Sequence, residues 1–411
     1  MNSETPAAIS TFQCLYCWQE KPTSEASLEH GVPQFLGGAF APPNFHLSNV
    51  CRTCNSRLGR WVDASYGKSW LVTNHLAMAS QSLYTSLKST PIPLVCMGPV
   101  EIPGLVAAKG SIAEFWLGPY GSQVVWVRQN DEDMYWYAGG DPVGAKSEPS
   151  IAYFIPNDPN LTKFRMGVAS FLAHFKKKKK KVRRILIAHF EDQQEGFVYP
   201  GFDAPLAEDK TNLEHIFKIL EAPIQVRMAF YAAFDHRFIA KMALAIGYSL
   251  FGPAYLQTPH AVEAKRSLWP QPEHPDQLRG SSTFGSKLPT EVAQFLGYPS
   301  AVAITIMKLG HEDYVMAVSI DQKLPFSVVL APSELNSVRV DPDLGYALLL
   351  FPSLKKSVVM TQVDLMRHNV GDVLHPELLE IETIRRAAAE FHAGLTANPS
   401  TPPSLGSKDE G

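Results

Sequence analysis

The chain has 411 residues, a formal net charge of −3, 45% hydrophobic residues and 19% charged ones. This is a globular composition too long for one ordinary core. It excludes a disordered chain, and no window approaches the roughly 18 uninterrupted apolar residues of a membrane-spanning helix. Near-neutral net charge means that nucleic acid, if bound, is held by local basic patches rather than by the field of the whole molecule.

Residues 1–10 read as a disordered N-terminus. "MNSETPAAISTFQC" has neither a basic n-region nor an apolar h-region, so no signal peptide is expected and a cytoplasmic location is the default. Residues 11–75 form a first module, which "RLGRWVDASYGKSW" leaves as a helix. From about 90 to 160, short β-branched and aromatic runs ("PIPLVCMG", "SIAEFWLG", "QVVWVRQ", "MYWYAGG", "SIAYFIP") are punctuated by Gly, Pro, Asn and Asp, which predicts strands. "RILIAHF" is one more. Residues 212–256 read as helical, and "DHRFIAKMALAIGYSLFG" ends at Gly252-Pro253. Within it, His236, Arg237 and Lys241 can line a site or form the polar edge of a packed helix. Residues 259–290, rich in Pro, Gly and Ser, read as a long loop. Strands return with "AVAITIMKLG", "YVMAVSI", "PFSVVLAP" and "YALLLFP". A last helix, "PELLEIETIRRAAAEFHAGL", precedes a disordered tail at 396–411.

Five cysteines are present, and four of them form two C-x-x-C pairs, Cys14/Cys17 and Cys51/Cys54. In a cytosolic chain such pairs point to metal before disulfides. The pairs flank 33 residues, 18 through 50. Four thiolates so arranged suit a tetrahedral zinc with no open position, a structural site rather than a catalytic one. A module of this size buries little core, so a metal staple is physically needed. Cys96 lies in an apolar run and reads as a buried cysteine.

Between the pairs stands "SLEHGVPQFLGG", with Glu29 and His30 side by side and Gly37-Gly38 closing the run. An Asn precedes the second pair and Asn55 follows it. Carboxylate and amide oxygens suit Mg²⁺ or Mn²⁺, and a histidine beside them can take a proton from water. The glycines permit either a tight bend or close approach to a sugar–phosphate backbone.

The order C-x-x-C, L-E-H-x-x-P-x-x-L-G-G, N-V-C-x-x-C-N-x-x-x-G resembles the HNH (ββα-metal) endonucleases in their four-cysteine zinc form, over roughly residues 12–66. The resemblance implies a β-hairpin carrying Glu29 and His30, a helix starting near the second cysteine pair, and one divalent cation between them. It makes His30 the general base, Glu29 and Asn55 ligands of a catalytic Mg²⁺ or Mn²⁺, and Asn49 the middle Asn, with Asn44 and His46 as rivals for that place. Val32, Phe35 and Leu36 are expected to anchor the hairpin on the helix near Cys51. Arg52, Arg57, Arg60 and Lys68 are candidates for holding flanking phosphates, although a solvated helix face accounts for any single one as well.

The fold class expected is α+β: a small N-terminal ββα-metal, zinc-stapled module, followed over 76–395 by a larger mixed α+β body that regulates or recognises the target, with a subdomain split near 260–290. The function implied is metal-dependent hydrolysis of nucleic acid, DNA before RNA, in a setting such as defence against foreign DNA. The alternative is a zinc-containing module that binds nucleic acid or protein without cutting. A protein partner or homo-oligomer through the C-terminal region is also open. "KKKKKKVRR" (176–184) reads as a phosphate-contacting strip or a solvated basic loop. "NLEHIFK" (212–218) repeats the Leu-Glu-His triplet without its partners and reads as a surface helix segment. "GHED" (310–313) reads as an ordinary turn.

Overall fold

The computed structural model describes residues 10–131, 139–141, 148–176, 181–187, 198–226, 232–270, 278–281, 292, 295–308 and 312–397. It is mixed α+β and resolves into two compact units, each discontinuous in sequence. One joins Met1–Tyr66 to Tyr231–Leu379, and the other joins Gly67–Phe230 to Glu380–Gly411. The cysteine-bearing end of the chain therefore shares a unit with residues 231–379.

In the first unit, β1 (Thr11–Gln13) and β2 (Glu20–Pro22) form a small antiparallel ladder, and β3 (Ala26–His30) pairs antiparallel with β4 (His46–Cys51). Helix α1 (Arg52–Leu58) follows β4 directly and continues into one wider turn, Gly59–Asp63. This is the expected ββα arrangement. A six-stranded antiparallel sheet, in spatial order Gly280–Ser281, Lys323–Ala331, Tyr314–Ile320, Val302–Lys308, Tyr346–Phe351, Lys356–Met360, supplies the large core. Every residue of Tyr346–Phe351 is buried.

The helix Ala232–Phe251 packs against the strand Lys323–Ala331 and against the helix Pro259–Leu268. From Phe238 to Gly247 every residue is buried. A helix apolar on all sides belongs inside a fold, so the lone lysine within that run, Lys241, is out of keeping with its surroundings.

The reading of 259–290 as loop is corrected at its start. Pro259–Leu268 is a helix, because Thr258 caps it, its hydroxyl accepting from the Ala261 N–H at 3.2 Å, and Pro259 fits the first turn. Residues 271–277 and 282–290 lie outside the described residues.

The second unit is a five-stranded sheet, Val95–Val100, Ser111–Leu117, Gln123–Gln129, Ser150–Ile155 and Val182–Leu186 in spatial order, antiparallel except for its last, parallel pair. The helix Leu161–His174, absent from the sequence reading, makes the crossover that a parallel pair requires. Alternation along the strands separates two faces. Trp126 and Phe154 pack with Phe164 and Phe171 of that helix, while Val125, Tyr153 and Ile185 pack with Ile216 of the helix Ala207–Leu220.

The lysine run ends inside this sheet. Arg184 is buried and Arg183 is ion-paired with Asp209, so these two residues are not part of a free basic strip, and residues 177–180 lie outside the described residues. The segment 212–218 is helical as expected, but Asn212 is buried and bonds both backbone groups of Val106. Asp313 pairs with His260 at 2.8 Å; Gly310 and His311 lie outside the described residues. So do 134–138 of the strand expected at "MYWYAGG" and both chain ends, 1–9 and 398–411. Among the described residues no helix is long and apolar enough to cross a membrane.

Candidate active site

The site begins with the cysteines. The turn after β1 brings Cys14 and Cys17 together, the Trp18 N–H donating to the Cys14 carbonyl at 2.8 Å. Cys51 ends β4 and caps α1, its sulfur receiving the Cys54 N–H at 3.5 Å. The four sulfurs lie within 4.8 Å of one another. A tetrahedral zinc, with Zn–S of about 2.3 Å, sets sulfurs about 3.8 Å apart, so this donor set fits structural zinc. A hydrogen bond from Cys54 pulls the Cys14 thiol down to about 4 and pushes the Cys54 thiol up. The knuckle is tied to the hairpin by the Leu15 N–H, which donates to the Asn49 carbonyl at 2.9 Å.

Strand alternation then sends Glu29 and His30 in different directions. His30 stands directly opposite His46 in the hairpin register. Their rings meet edge to face with centroids 5.0 Å apart. The His46 Nε2–H donates to the Gly38 carbonyl at 3.2 Å, which fixes its tautomer because a carbonyl only accepts. Nδ1 of His30 lies 3.4 Å from the Gln34 side-chain amide. Partial burial, His46 and Lys241 all lower the His30 pKa, which favours neutral imidazole. Of the three candidates for the middle position, His46 faces His30. Asn49 contributes its main chain to the knuckle, and the Asn44 amide nitrogen is buried with no hydrogen-bond partner among the described residues.

Glu29 turns inward and is buried. One of its oxygens is 2.8 Å from the ammonium of Lys241 and accepts the Tyr16 hydroxyl at 3.0 Å. Asp63 is bonded to the same ammonium. Burial alone pulls the Lys241 pKa down, but Asp63 and Glu29 outweigh it and the net shift is upward. Burial and the nearby Glu29 raise the carboxyl of Asp63 despite Lys241. Asn55 is elsewhere engaged, its amide nitrogen donating to the Leu28 carbonyl at 2.9 Å and the Ser27 hydroxyl at 3.1 Å. Glu29 and Asn55 thus have different partners. As a donor pair for a catalytic divalent cation they do not fit as arranged, because the carboxylate already holds an ammonium.

Tyr16, Asp63 and Gln34 were not singled out in the sequence. Lys241 had a legible signal, a single cation in "FIAKMALAIGYSLF", but not its target.

The loop between the strands is held from within. A Cβ on Gly38 would lie 1.6 Å from the Val32 carbonyl oxygen, so this glycine serves the loop's own close approach. Gly37 takes a left-handed φ of +96°. Val32 and Leu36 are buried, and the Phe35 ring lies near those of Tyr66 and Phe238, with centroids at 6.4 and 6.0 Å. A Cβ on Gly31 would lie 3.5 Å from Ala245 and Ser249. The hairpin therefore docks on the central helix.

Of the basic candidates, Arg52 and Arg57 are exposed on α1. The Arg57 guanidinium lies over the Trp269 ring at 5.1 Å, with Arg237 over the same ring at 5.9 Å. Burial and Arg57 lower the Arg237 pKa. Arg60 lies over Trp61 at 5.6 Å, and Lys68 donates to the Gly140 carbonyl at 2.8 Å.

A four-sulfur knuckle closing a β-hairpin and a helix, with a histidine at the end of the first strand, defines a zinc-stapled ββα module. Residues 14–71 match the family model of the HNH endonucleases, so this segment is an HNH endonuclease domain. No curated protein and no solved structure matches the chain.

Proposed function

We propose that this chain is an HNH nuclease that hydrolyses phosphodiester bonds of nucleic acid, DNA in preference to RNA, with His30 as general base. The observation that carries this reading is the family match over residues 14–71, which contains His30 at the loop end of the hairpin. The lowered His30 pKa leaves the ring neutral near pH 7, the form that can accept a proton from water. With Nδ1 beside Gln34, the nitrogen free for that transfer is Nε2. This requires the Nδ1–H tautomer, with Gln34 presenting its amide oxygen, an orientation open to it because the two amide ends are interchangeable. Zinc on the four cysteines holds the hairpin and α1 in register. The divalent cation implied by the resemblance enters no step here, because Glu29 is held by Lys241. A role in defence against foreign DNA is in keeping with such an activity.

The test is plasmid cleavage with Mg²⁺, with Mn²⁺ and with EDTA, run beside His30→Ala. A positioned general base contributes about 100-fold or more, so His30→Ala should lose at least that factor. Cutting that survives the substitution ends this reading. The engagement of Glu29 favours one second reading, a module that binds nucleic acid without cutting it. Retained DNA binding with no cleavage under any metal selects that one.

A further inference from the structure

Glu29 is the carboxylate that the resemblance gives to a divalent cation, yet in the fold a cation of the chain's own is already on it. The Lys241 ammonium bridges Glu29, at 2.8 Å, and Asp63. Lys241 is 3% exposed, in the middle of the central helix and outside the matched segment 14–71. The Tyr16 hydroxyl completes the enclosure by donating to the same Glu29 oxygen. The other oxygen of Asp63 is buried with no hydrogen-bond partner among the described residues. Two hard oxygen donors thus converge on one point, and the compact cation at that point is an ammonium. Counted as ionised, two carboxylates and one ammonium leave one negative charge, so the cluster is short of positive charge.

We propose that Lys241 is a tethered competitor for the divalent cation, occupying Glu29 and Asp63 in the resting fold. A metal gains Glu29 only when the ammonium withdraws, and Asp63 is the second carboxylate it then meets. Because Lys241 belongs to the helix Ala232–Phe251, on which the hairpin docks through Gly31 and Phe35, metal loading is coupled to the position of that helix. An event in the body of the protein that shifts the helix would release the carboxylates. The identity of the cation rests on the nuclease reading; the competition itself rests on geometry.

The test measures Mn²⁺ binding to zinc-loaded, full-length protein through loss of the free Mn²⁺ paramagnetic resonance signal. The variants are Lys241→Met and Lys241→Met/Asp63→Asn, the second of which leaves a single carboxylate facing Tyr16. Lys241→Gln, which keeps a donor for both carboxylates without the charge, replaces them if circular dichroism shows that they do not fold. Lys241→Met, or Lys241→Gln in its place, should bind Mn²⁺ tenfold or more tighter than the wild type, Asp63→Asn should reduce that gain, and adding Glu29→Gln should erase it. Equal affinity in wild type and variants, or a gain that survives Glu29→Gln, overturns the proposal. The readout is binding alone. A gain in affinity without any plasmid cutting would count against the nuclease reading and leave the competition standing, whereas His30-dependent cutting with unchanged affinity would do the reverse.

Discussion

The side-chain amide of Asn55 donates to the Leu28 carbonyl at 2.9 Å, so the first turn of α1 is stitched to the strand that carries His30 two residues later. The same nitrogen reaches the Ser27 hydroxyl. The backbone ladder is irregular between Ser27 and Glu29, and a side chain supplies what the strand pairing does not. Removing the stitch should cost about 0.5–1.5 kcal/mol, the usual net contribution of a hydrogen bond whose acceptor water can reach. Asn55→Asp separates this role from metal ligation, because aspartate keeps a ligand oxygen but cannot donate. Urea unfolding should find Asn55→Asp and Asn55→Ala destabilised alike, with cleavage reduced in both. Wild-type stability in the aspartate variant would make ligation, not stitching, the role of Asn55.

The turn glycines give a sharper steric contrast. A methyl group on Gly38 would meet the Val32 carbonyl oxygen at 1.6 Å, an overlap that only movement of the loop backbone can relieve. Gly59 has helical φ and ψ of −60° and −41°, and nothing lies within 4 Å of where its Cβ would stand. Gly38→Ala should therefore lose several kcal/mol or fail to give soluble protein, by the overpacking cost of a rigid site. Gly59→Ala should be neutral or stabilise by up to about 1 kcal/mol, since alanine restricts the unfolded chain and favours helix. Thermal melts of the two variants decide it, and a Gly38→Ala melt close to wild type would contradict the packing described for this loop.

These contrasts mark how far the sequence reached. The cysteine pairs were legible because a C-x-x-C spacing within one turn of chain carries its chemistry. The helix Pro259–Leu268 had its signal in Thr258-Pro259, but the surrounding composition of Pro, Gly and Ser outweighed it. What composition and spacing do not encode is the partner of a buried group. Lys241 and Asp63 stand 178 positions apart. Nothing local to "LEHG" says that its glutamate is met by a lysine, or that Phe35 finds the rings of Tyr66 and Phe238. These pairings arise only when the hairpin docks on the central helix. The choice among Asn44, His46 and Asn49 is of the same kind. It depends on the β3–β4 register, which an irregular strand shifts by a residue.

Among the basic candidates, the environments of Arg57 and Lys68 differ in a way that binding can read. Arg57 is exposed at the end of α1, its guanidinium on the Trp269 ring. The Lys68 ammonium is spent on the Gly140 carbonyl at 2.8 Å. If α1 faces nucleic acid, Arg57→Ala should weaken duplex binding several-fold and lower the slope of log affinity against log salt by about 1, the signature of one lost phosphate contact. Lys68→Ala should leave that slope unchanged. Fluorescence anisotropy of a labelled duplex from about 50 to 200 mM salt provides both measurements. An unchanged slope in Arg57→Ala would remove α1 from the interface.

The zinc staple is tested by comparing two buried cysteines with different surroundings. Cys51 is one of the four clustered sulfurs and also caps α1. Cys96 is equally buried but packs in the apolar core of the five-stranded sheet. Cys51→Ser replaces a soft thiolate ligand and weakens the cap at once, and a small metal-closed module commonly does not fold without its metal. Colorimetric zinc release should find one zinc per wild-type chain and much less in Cys51→Ser, with the hairpin amides losing their protection from hydrogen exchange. Cys96→Ser should keep its zinc and lose only about 1–3 kcal/mol, the cost of placing a hydroxyl in an apolar site. A Cys51→Ser protein that retains both zinc and amide protection would mean that the four sulfurs are not what holds the hairpin to α1. Their spacing would then be a consequence of packing alone.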